Sequence, residues 1–193
     1  MADQPTYSLQ IMLPDDLNRR FARWAANTSG ASWPGWGGHM TLLAPFTCVL
    51  SRGQLEAELV NAAAGHSPVP VSLTQLTVVP DWTRPVYWAV FLTPPAEGGS
   101  GLQRLRALHA DIDMRLAPVR TDSFPDISKR EYLPHITLAL GLYEEEAHKM
   151  AGAARADKLI AKFMVDHFVL RQNGGTSEPS SASVIPLSGS PLP

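Results

Sequence analysis

The sequence contains a single cysteine, Cys48, among its 193 residues. One thiol excludes an intrachain disulfide and any zinc site built from cysteines. The sequence also has no apolar run close to the roughly 18 residues that a membrane helix needs. Its first five residues show no basic stretch leading into an apolar one, as a secretory signal would. We therefore expect a cytoplasmic protein that does not act at a membrane.

An excess of basic residues is missing as well. Lys and Arg number 16 against 18 Asp and Glu, which gives a net charge of −2. Proteins that bind long duplexes depend on many basic contacts to phosphates, so duplex DNA is not an expected partner, whereas a small or terminal phosphate is. A hydrophobic content of 45% is typical of a globular chain. The length predicts one domain over residues 1–193, or two small, closely packed lobes.

Metal-binding motifs are also absent from the sequence. There are six histidines, but no His-x-His, no His-Glu-x-x-His and no Cys/His cluster. We therefore expect neither a metal nor a cofactor. Four of the histidines stand apart from any motif and are interpreted as bystanders: His66, His109, His148 and His167.

Apolar spacing and turn residues divide the chain into helices and strands. Helical spacing predicts helices over residues 15–27, 53–64, 102–116 and 144–156. Strands are predicted over residues 7–12, 39–43, 71–79, 85–92, 135–140, 162–171 and 184–187. Pro45 is expected to close the second strand, and residues 28–38, 117–131 and 174–183 are expected to be loops.

The two halves of this pattern have the same order. Each half runs helix, loop, strand, helix, strand, turn, strand, and in each the first of these strands carries His-x-Thr-Leu. The two copies are His39-Met40-Thr41-Leu42 and His135-Ile136-Thr137-Leu138, about half a chain length apart. A repeated order of elements with a repeated motif indicates an internal duplication.

The motif places two kinds of functional group on one face of a strand. Side chains alternate between faces, so His39 and Thr41 share one face, and His135 and Thr137 do the same. Two imidazoles can divide general acid and general base work near neutral pH, a contribution of typically ~10²–10⁴-fold each. Two hydroxyls can donate hydrogen bonds to phosphate oxygens as charge develops on them. If a pseudo-twofold axis relates the halves, all four side chains line one cleft.

The paired motifs resemble those of the two-histidine (2H) phosphoesterase superfamily, which includes 2′-5′ RNA ligase-like proteins and cyclic phosphodiesterases. The resemblance implies an α+β, bilobal fold with two antiparallel sheets, flanked by helices, around a central cleft. It also implies metal-independent hydrolysis of a 2′,3′-cyclic phosphodiester at an RNA end or in a small cyclic nucleotide. Under this resemblance His39 and His135 are the acid/base pair, and Thr41 and Thr137 bind the phosphate. Which histidine is the acid, and whether the 2′- or the 3′-phosphate is released, stay open.

Further side chains near the motifs are candidates for substrate binding. Trp36, Phe46 and Tyr132 could stack on a nucleobase, and Arg130 precedes the second motif, where a cation could meet a phosphate. We expect a monomer that acts on a nucleotide or an RNA terminus. Two alternatives remain: reversible 2′-5′ RNA ligation, and a nucleotide-binding module without catalysis.

Overall fold

A computed structural model describes residues 5–173 and 181–189 of the chain. Its five helices within these residues are α1 (Asp15–Ala26), α2 (Arg52–Ala63), α3 (Ser100–Leu116), α4 (Pro125–Ser128) and α5 (Glu144–Ala156). The strands of the first half are β1 (Thr6–Met12), β2 (His39–Cys48), β3 (Val69–Leu73), β4 (Gln75–Pro80) and β5 (Trp88–Thr93). Those of the second half are β6 (Arg120–Asp122), β7 (Ile136–Leu142), β8 (Ala161–Val165), β9 (His167–Asn173) and β10 (Ser181–Pro186).

The fold is α+β with two antiparallel sheets, as expected. The larger sheet has the strand order β10-β9-β1-β2-β7-β5-β4, with β6 paired to β2, and the smaller consists of β3 and β8. The order is symmetric about the boundary between β2 and β7. Beside the boundary lie β2 and β7, which lead into α2 and α5. Next come β1 and β5, which precede α1 and α3, and then β9 and β4, which follow α5 and α2 after one short strand. This arrangement is the one that an internal duplication predicts.

The helices divide the molecule into two lobes. In the first lobe, α2 packs on α3 and β10, and α3 packs on β2 and β3. In the second lobe, α5 packs on β4, β5 and β7. α1 reaches the end of α5, where Trp24 Nε1 donates to Asp157 at 3.0 Å. Buried side chains from both lobes form one continuous apolar core. No helix in the described ranges combines the length and the apolar character needed to cross a membrane.

The end predicted for the second strand is wrong. β2 does not close at Pro45 but continues to Cys48. Its pairing with β1 skips a residue twice, since Gln10 faces Thr41, Leu9 faces Leu43 and Tyr7 faces Phe46. Such bulges tolerate proline because they interrupt the ladder hydrogen bonds that proline cannot donate.

Two other predicted strands are each divided in the structure. Residues 71–79 fall into β3 and β4, and residues 162–171 fall into β8 and β9, with one residue between the strands in both cases. In each case the two parts belong to different sheets. The predicted loop 117–131 contains β6 and α4. Of the predicted loop 174–183, residues 181–183 are in β10, and residues 174–180 lie outside the described residues.

Candidate active site

His39 opens β2 and is oriented by the glycine-rich loop before it. The Gly38 N–H donates to Asn18 Oδ1 at 2.8 Å, and Trp33 Nε1 donates to the same oxygen at 3.1 Å. A Cβ at position 38 would collide with the Trp33 ring, so this close approach requires glycine. The loop thereby places the Gly37 carbonyl 3.3 Å from His39 Nδ1.

His135 has the same backbone contact in the second motif. Its Nδ1 lies 2.8 Å from the carbonyl oxygen of Leu133, again two residues earlier in the chain. A carbonyl oxygen can only accept a hydrogen bond, so Nδ1 carries the proton in both rings and Nε2 keeps its lone pair. Both histidines therefore have Nε2 available for proton transfer.

The two motifs meet where the lobes join. In the described residues β2 and β7 pair through one position, Met40 opposite Ile136, and both side chains are buried in the core. Their neighbours His39, Thr41 and Thr137 face the other side and are half-buried, as is His135. Continuing the antiparallel register by one residue each way sets His39 opposite Thr137 and Thr41 opposite His135. All four polar residues therefore lie within one residue of the crossing point, and Thr41 and His135 line the same cleft.

Burial is the main cause of a lowered pKa in both histidines. For His39, burial lowers the pKa, the hydrogen bond to Gly37 offsets part of this, and the charge of Arg171 lowers the pKa further. For His135, burial again acts first, the bond to Leu133 opposes it, and the charge of His39 lowers the pKa further. The last effect means that the two rings are close enough to influence each other electrostatically. Both shifts favour neutral imidazole.

Aromatic side chains surround the His135 ring. Phe91 on β5 stacks against it with a centroid separation of 4.0 Å, and Trp82 meets it edge-on at 5.3 Å. Arg130 lies over the Trp82 ring at 5.5 Å. A buried carboxylate fixes the turn that carries Trp82. Burial alone would raise the pKa of Asp81, but hydrogen bonds from Thr83 and Arg84 hold it below its usual value.

The His39 ring has a more open environment. Trp36 is 55% exposed, and its ring centroid lies 6.1 Å from that of His39. Arg171 on β9 lies over Trp36 at 5.5 Å. Each histidine therefore has a tryptophan beside it, with an arginine over the tryptophan.

The structure changes two of the substrate-binding expectations. Phe46 is 0% exposed in the core and packs near Tyr7 at 6.0 Å, so it belongs to the core rather than to the cleft. Tyr132 lines the cleft but stacks on His109 at 4.2 Å, which covers one face of its ring. Trp36 and Arg130 both lie close to the histidine motifs.

Sequence reasoning did not find two neighbours of the site. Arg171 lies over Trp36, where its charge acts on His39, because β9 pairs with β1 and Arg171 stands opposite Ser8. Phe91 reaches His135 because β5 pairs with β7, where it stands opposite Thr137. Both contacts come from strand pairing across long stretches of sequence, and no local motif signals either residue.

No three His, Cys, Asp or Glu side chains within residues 5–173 and 181–189 are grouped so that they could hold a metal ion. The polar groups at the crossing point are imidazoles and hydroxyls, which suit proton transfer and hydrogen bonding.

Family comparison agrees with the two motifs. A sequence model of the 2′-5′ RNA ligase superfamily matches residues 13–176. This chain belongs to the 2′-5′ RNA ligase superfamily. The matched range contains both His-x-Thr motifs, and the resemblance to the 2H phosphoesterases is confirmed. No curated protein matches the chain at a significant level.

Solved structures with the fold of the superfamily resemble this chain over nearly its whole length. Escherichia coli LigT in apo form has a TM-score of 0.56 and 16% identity, covering 94% of this chain and 95% of LigT. The protein TT0787 of Thermus thermophilus has a TM-score of 0.51 and 15% identity, covering 95% of this chain and 98% of TT0787. At such identities the likeness establishes the fold.

Proposed function

We propose that this protein is a metal-independent phosphodiesterase that opens a 2′,3′-cyclic phosphate at an RNA end or in a small cyclic nucleotide. The observation that carries the proposal is the pair of equivalent imidazoles at the junction of the lobes. Each ring is fixed through Nδ1 to its own backbone, at 3.3 Å for His39 and 2.8 Å for His135. Each keeps Nε2 for chemistry, and each is close enough to the other for electrostatic interaction.

The proposed reaction is an in-line displacement at phosphorus. One neutral histidine accepts a proton at Nε2 from water as the water oxygen forms a bond to phosphorus. The other histidine, protonated, donates its Nε2 proton to the ribose oxygen as the bond between that oxygen and phosphorus breaks. The product is a ribose phosphomonoester with one free hydroxyl, and proton exchange with solvent restores the two histidines.

Thr41 and Thr137 are proposed to bind the phosphoryl oxygens. They flank the crossing of β2 and β7 on the same face as the histidines. Hydroxyl donors placed there stabilise negative charge as it grows on the non-bridging oxygens, without reorganising during the reaction. The two threonines thus hold the phosphorus centre between the two imidazoles.

Structures of a relative support a nucleotide substrate. E. coli LigT has been solved in complex with 3′-AMP, with ATP, with NADP+ and with phosphate. These ligands share a phosphoryl group, and three of them are nucleotides. We carry this ligand class over to the present chain as part of the proposal.

The direct test is turnover of the four 2′,3′-cyclic nucleotides and of an RNA with a 2′,3′-cyclic end. We expect a phosphomonoester product, a bell-shaped dependence of kcat/KM on pH, and no effect of EDTA. Activity that is lost with EDTA and restored by a divalent ion would contradict the mechanism. Binding of nucleotides without opening of any cyclic phosphate would instead favour a binding module.

The name of the superfamily favours one alternative reaction, 2′-5′ RNA joining. Ligation is the reverse of ring opening, with an RNA 5′-hydroxyl in place of water, so the same four side chains could serve it. Incubating a cyclic-phosphate RNA with a 5′-hydroxyl RNA distinguishes the reactions. Joined product that forms faster than hydrolysis would make ligation the primary activity.

A further inference from the structure

A pocket opens beside the candidate catalytic side chains, between β2, α3 and the segment 127–133. It is a cleft with an enclosed volume of about 70 Å³ that opens to solvent. Thr41 and His135 line it, so it is continuous with the proposed phosphate site. We call it the side pocket. Its remaining polar wall includes Tyr132, His109, Asp113 and Arg130, and its apolar wall includes Leu42, Leu43, Ala44, Ile127 and Leu133.

The Tyr132 hydroxyl is buried, and no hydrogen-bond partner for it lies among the described residues. Burial raises the pKa of this phenol, so it remains a neutral O–H donor. Most buried polar groups in folded proteins are paired, and one that is not invites a functional explanation. A ligand atom that accepts a hydrogen bond would satisfy it.

His109 holds the Tyr132 ring in place. The two rings are nearly parallel, 4° apart, with centroids separated by 4.2 Å. Burial lowers the pKa of His109, the charge of Asp113 opposes this, and Arg120 lowers the pKa further. The neutral imidazole thus backs Tyr132 as a flat surface. One face of the Tyr132 ring is therefore covered, and its hydroxyl is the polar group that it can offer to a ligand.

The charges of the side pocket disfavour a second phosphate. Asp113 and Glu131 line it together with Arg130, so the lining has no excess of positive charge that would attract another anion. Each carboxylate is already paired, Asp113 with Arg120 at 2.6 Å and Glu131 with Arg106 at 2.9 Å. An apolar wall with a few polar groups at its edge suits a flat, uncharged ring that carries hydrogen-bonding atoms on its rim. A nucleobase has this chemistry.

We propose that the side pocket binds the nucleobase of the substrate, with the Tyr132 hydroxyl donating to an acceptor on the edge of the base. The inference rests on the proposed function. In that function the phosphate binds beside Thr41 and His135, which also line the side pocket, and the nucleobase of the same nucleotide must therefore bind close by. His109 is a positioning residue, since it acts through Tyr132. Single-ring and double-ring bases both carry an edge acceptor, so the hydroxyl binds the base without requiring one identity.

The first experiment measures binding and does not depend on turnover. The dissociation constants of a nucleoside 2′-monophosphate and of inorganic phosphate are compared by calorimetry for wild type and Tyr132→Phe. Loss of one hydrogen bond to the base should weaken nucleotide binding relative to phosphate binding by about 3- to 10-fold. The matched control is Tyr143→Phe, whose ring is 67% exposed at the start of α5. An unchanged ratio in Tyr132→Phe would overturn the proposal.

The second experiment separates the base from the phosphate in the reaction. kcat/KM is measured for a 2′,3′-cyclic nucleotide and for a base-free ribose 2,3-cyclic phosphate. The ratio of the two should fall by about 3- to 10-fold in Tyr132→Phe, and the change should appear in KM. If the wild type opens neither compound, the proposed function fails, while the binding experiment still decides the role of the pocket. If it opens both and the ratio is unchanged, only the nucleobase assignment fails.

Variants of His109 test the positioning role. His109→Ala removes the ring behind Tyr132 and should lower the same ratio, whereas His109→Phe preserves a flat ring and should restore it. Equal loss in both variants would contradict a role through stacking.

Discussion

The two histidine motifs share a backbone geometry and differ in what surrounds them. Thr41 has Gln10 as its partner on the neighbouring strand, and Thr137 has Phe91 in the equivalent place. On the His39 side, the buried Gln10 Oε1 and Ser8 Oγ have no hydrogen-bond partner within the described part of the chain. On the His135 side, Phe91 and Trp82 pack against the ring. The duplicated halves thus keep the groups proposed for chemistry and differ in the polarity of their walls.

The two arginines near the site show a second difference. Arg171 and Arg130 each lie 5.5 Å over a tryptophan. Arg171 lowers the pKa of His39, whereas the charge that acts on His135 is that of His39 itself. Different charges therefore act on the pKa values of the two equivalent imidazoles. Different pKa values are what a division into general acid and general base requires.

The largest expected effect tests whether both motifs are essential. His39→Ala and His135→Ala should each reduce kcat on a 2′,3′-cyclic nucleotide by about 10²-fold or more, because each removes one partner in proton transfer. His167→Ala, at a half-exposed histidine whose ring contacts Asp166 at 2.6 Å, is the control. Wild-type turnover in either motif variant would assign the chemistry to one lobe alone.

Removing a phosphate-binding hydroxyl should have a smaller effect. Thr41→Val and Thr137→Val keep the side-chain shape and should lower kcat/KM by about 10- to 100-fold, the cost of a lost hydrogen bond to a charged group. Thr47→Val, further along β2, provides a matched control. Comparison of the two variants shows whether the hydroxyls contribute equally, and no loss in either would remove the threonines from the proposed site.

The arginines should be distinguishable by pH dependence. Arg171→Gln removes a positive charge that lowers the pKa of His39, so that pKa should rise. One limb of the profile of kcat/KM against pH then moves to higher pH, because this profile reports ionisations of the free enzyme. Arg130→Gln should leave the profile in place. If the pH profile of kcat/KM shifts in both variants, or in neither, the proposed electrostatic difference between the two arginines is contradicted.

The smallest expected effect concerns stability. Burial first, together with nearby charges, lowers the pKa values of His39 and His135 below the ordinary 6.5, so near and below that pH the unfolded chain binds more protons than the folded one. The free energy of unfolding should therefore decrease as pH falls through 6.5 towards the folded-state pKa values. Urea denaturation at several pH values measures this decrease.

Single His→Gln variants sharpen the stability comparison. Each should flatten the dependence on pH, and the histidine with the lower folded-state pKa should flatten it more. A wild-type stability that does not change between about pH 7.5 and 5.5 would contradict the lowered pKa values.

Much of the local structure can be predicted because it depends on neighbouring residues. The sequence predicts helix α5 with the bounds Glu144–Ala156, since three glutamates start it and its apolar positions recur at helical spacing. The end of β2 cannot be predicted in this way, because the bulges that accommodate Pro45 arise from pairing with β1. The burial of Phe46 cannot be predicted from alternation either, because Leu43 is buried and Ala44 is not, so the pattern of Met40 and Leu42 is interrupted before Phe46.

The residues of the candidate site also divide into those that the sequence predicts and those that it does not. His39 and His135, with their threonines, can be found from sequence because they form a repeated local motif. Arg171, Phe91 and the contact between Tyr132 and His109 come from pairing and packing between distant segments. From sequence alone His109 is interpreted as a bystander, because a lone histidine on a helix carries no signal of its ring partner.

Strands from the two halves of the chain pair with each other in both sheets. β1 pairs with β9, and β3 pairs with β8, each a union of a first-half and a second-half strand. A fragment cut between β5 and α3 would consequently leave β1, β2, β3 and β5 each without a partner on one edge, a condition that promotes aggregation. An ancestor of single length would have needed a second copy to supply those edges, as in a swapped homodimer. Fusion of the two genes would then have made that exchange permanent within one polypeptide.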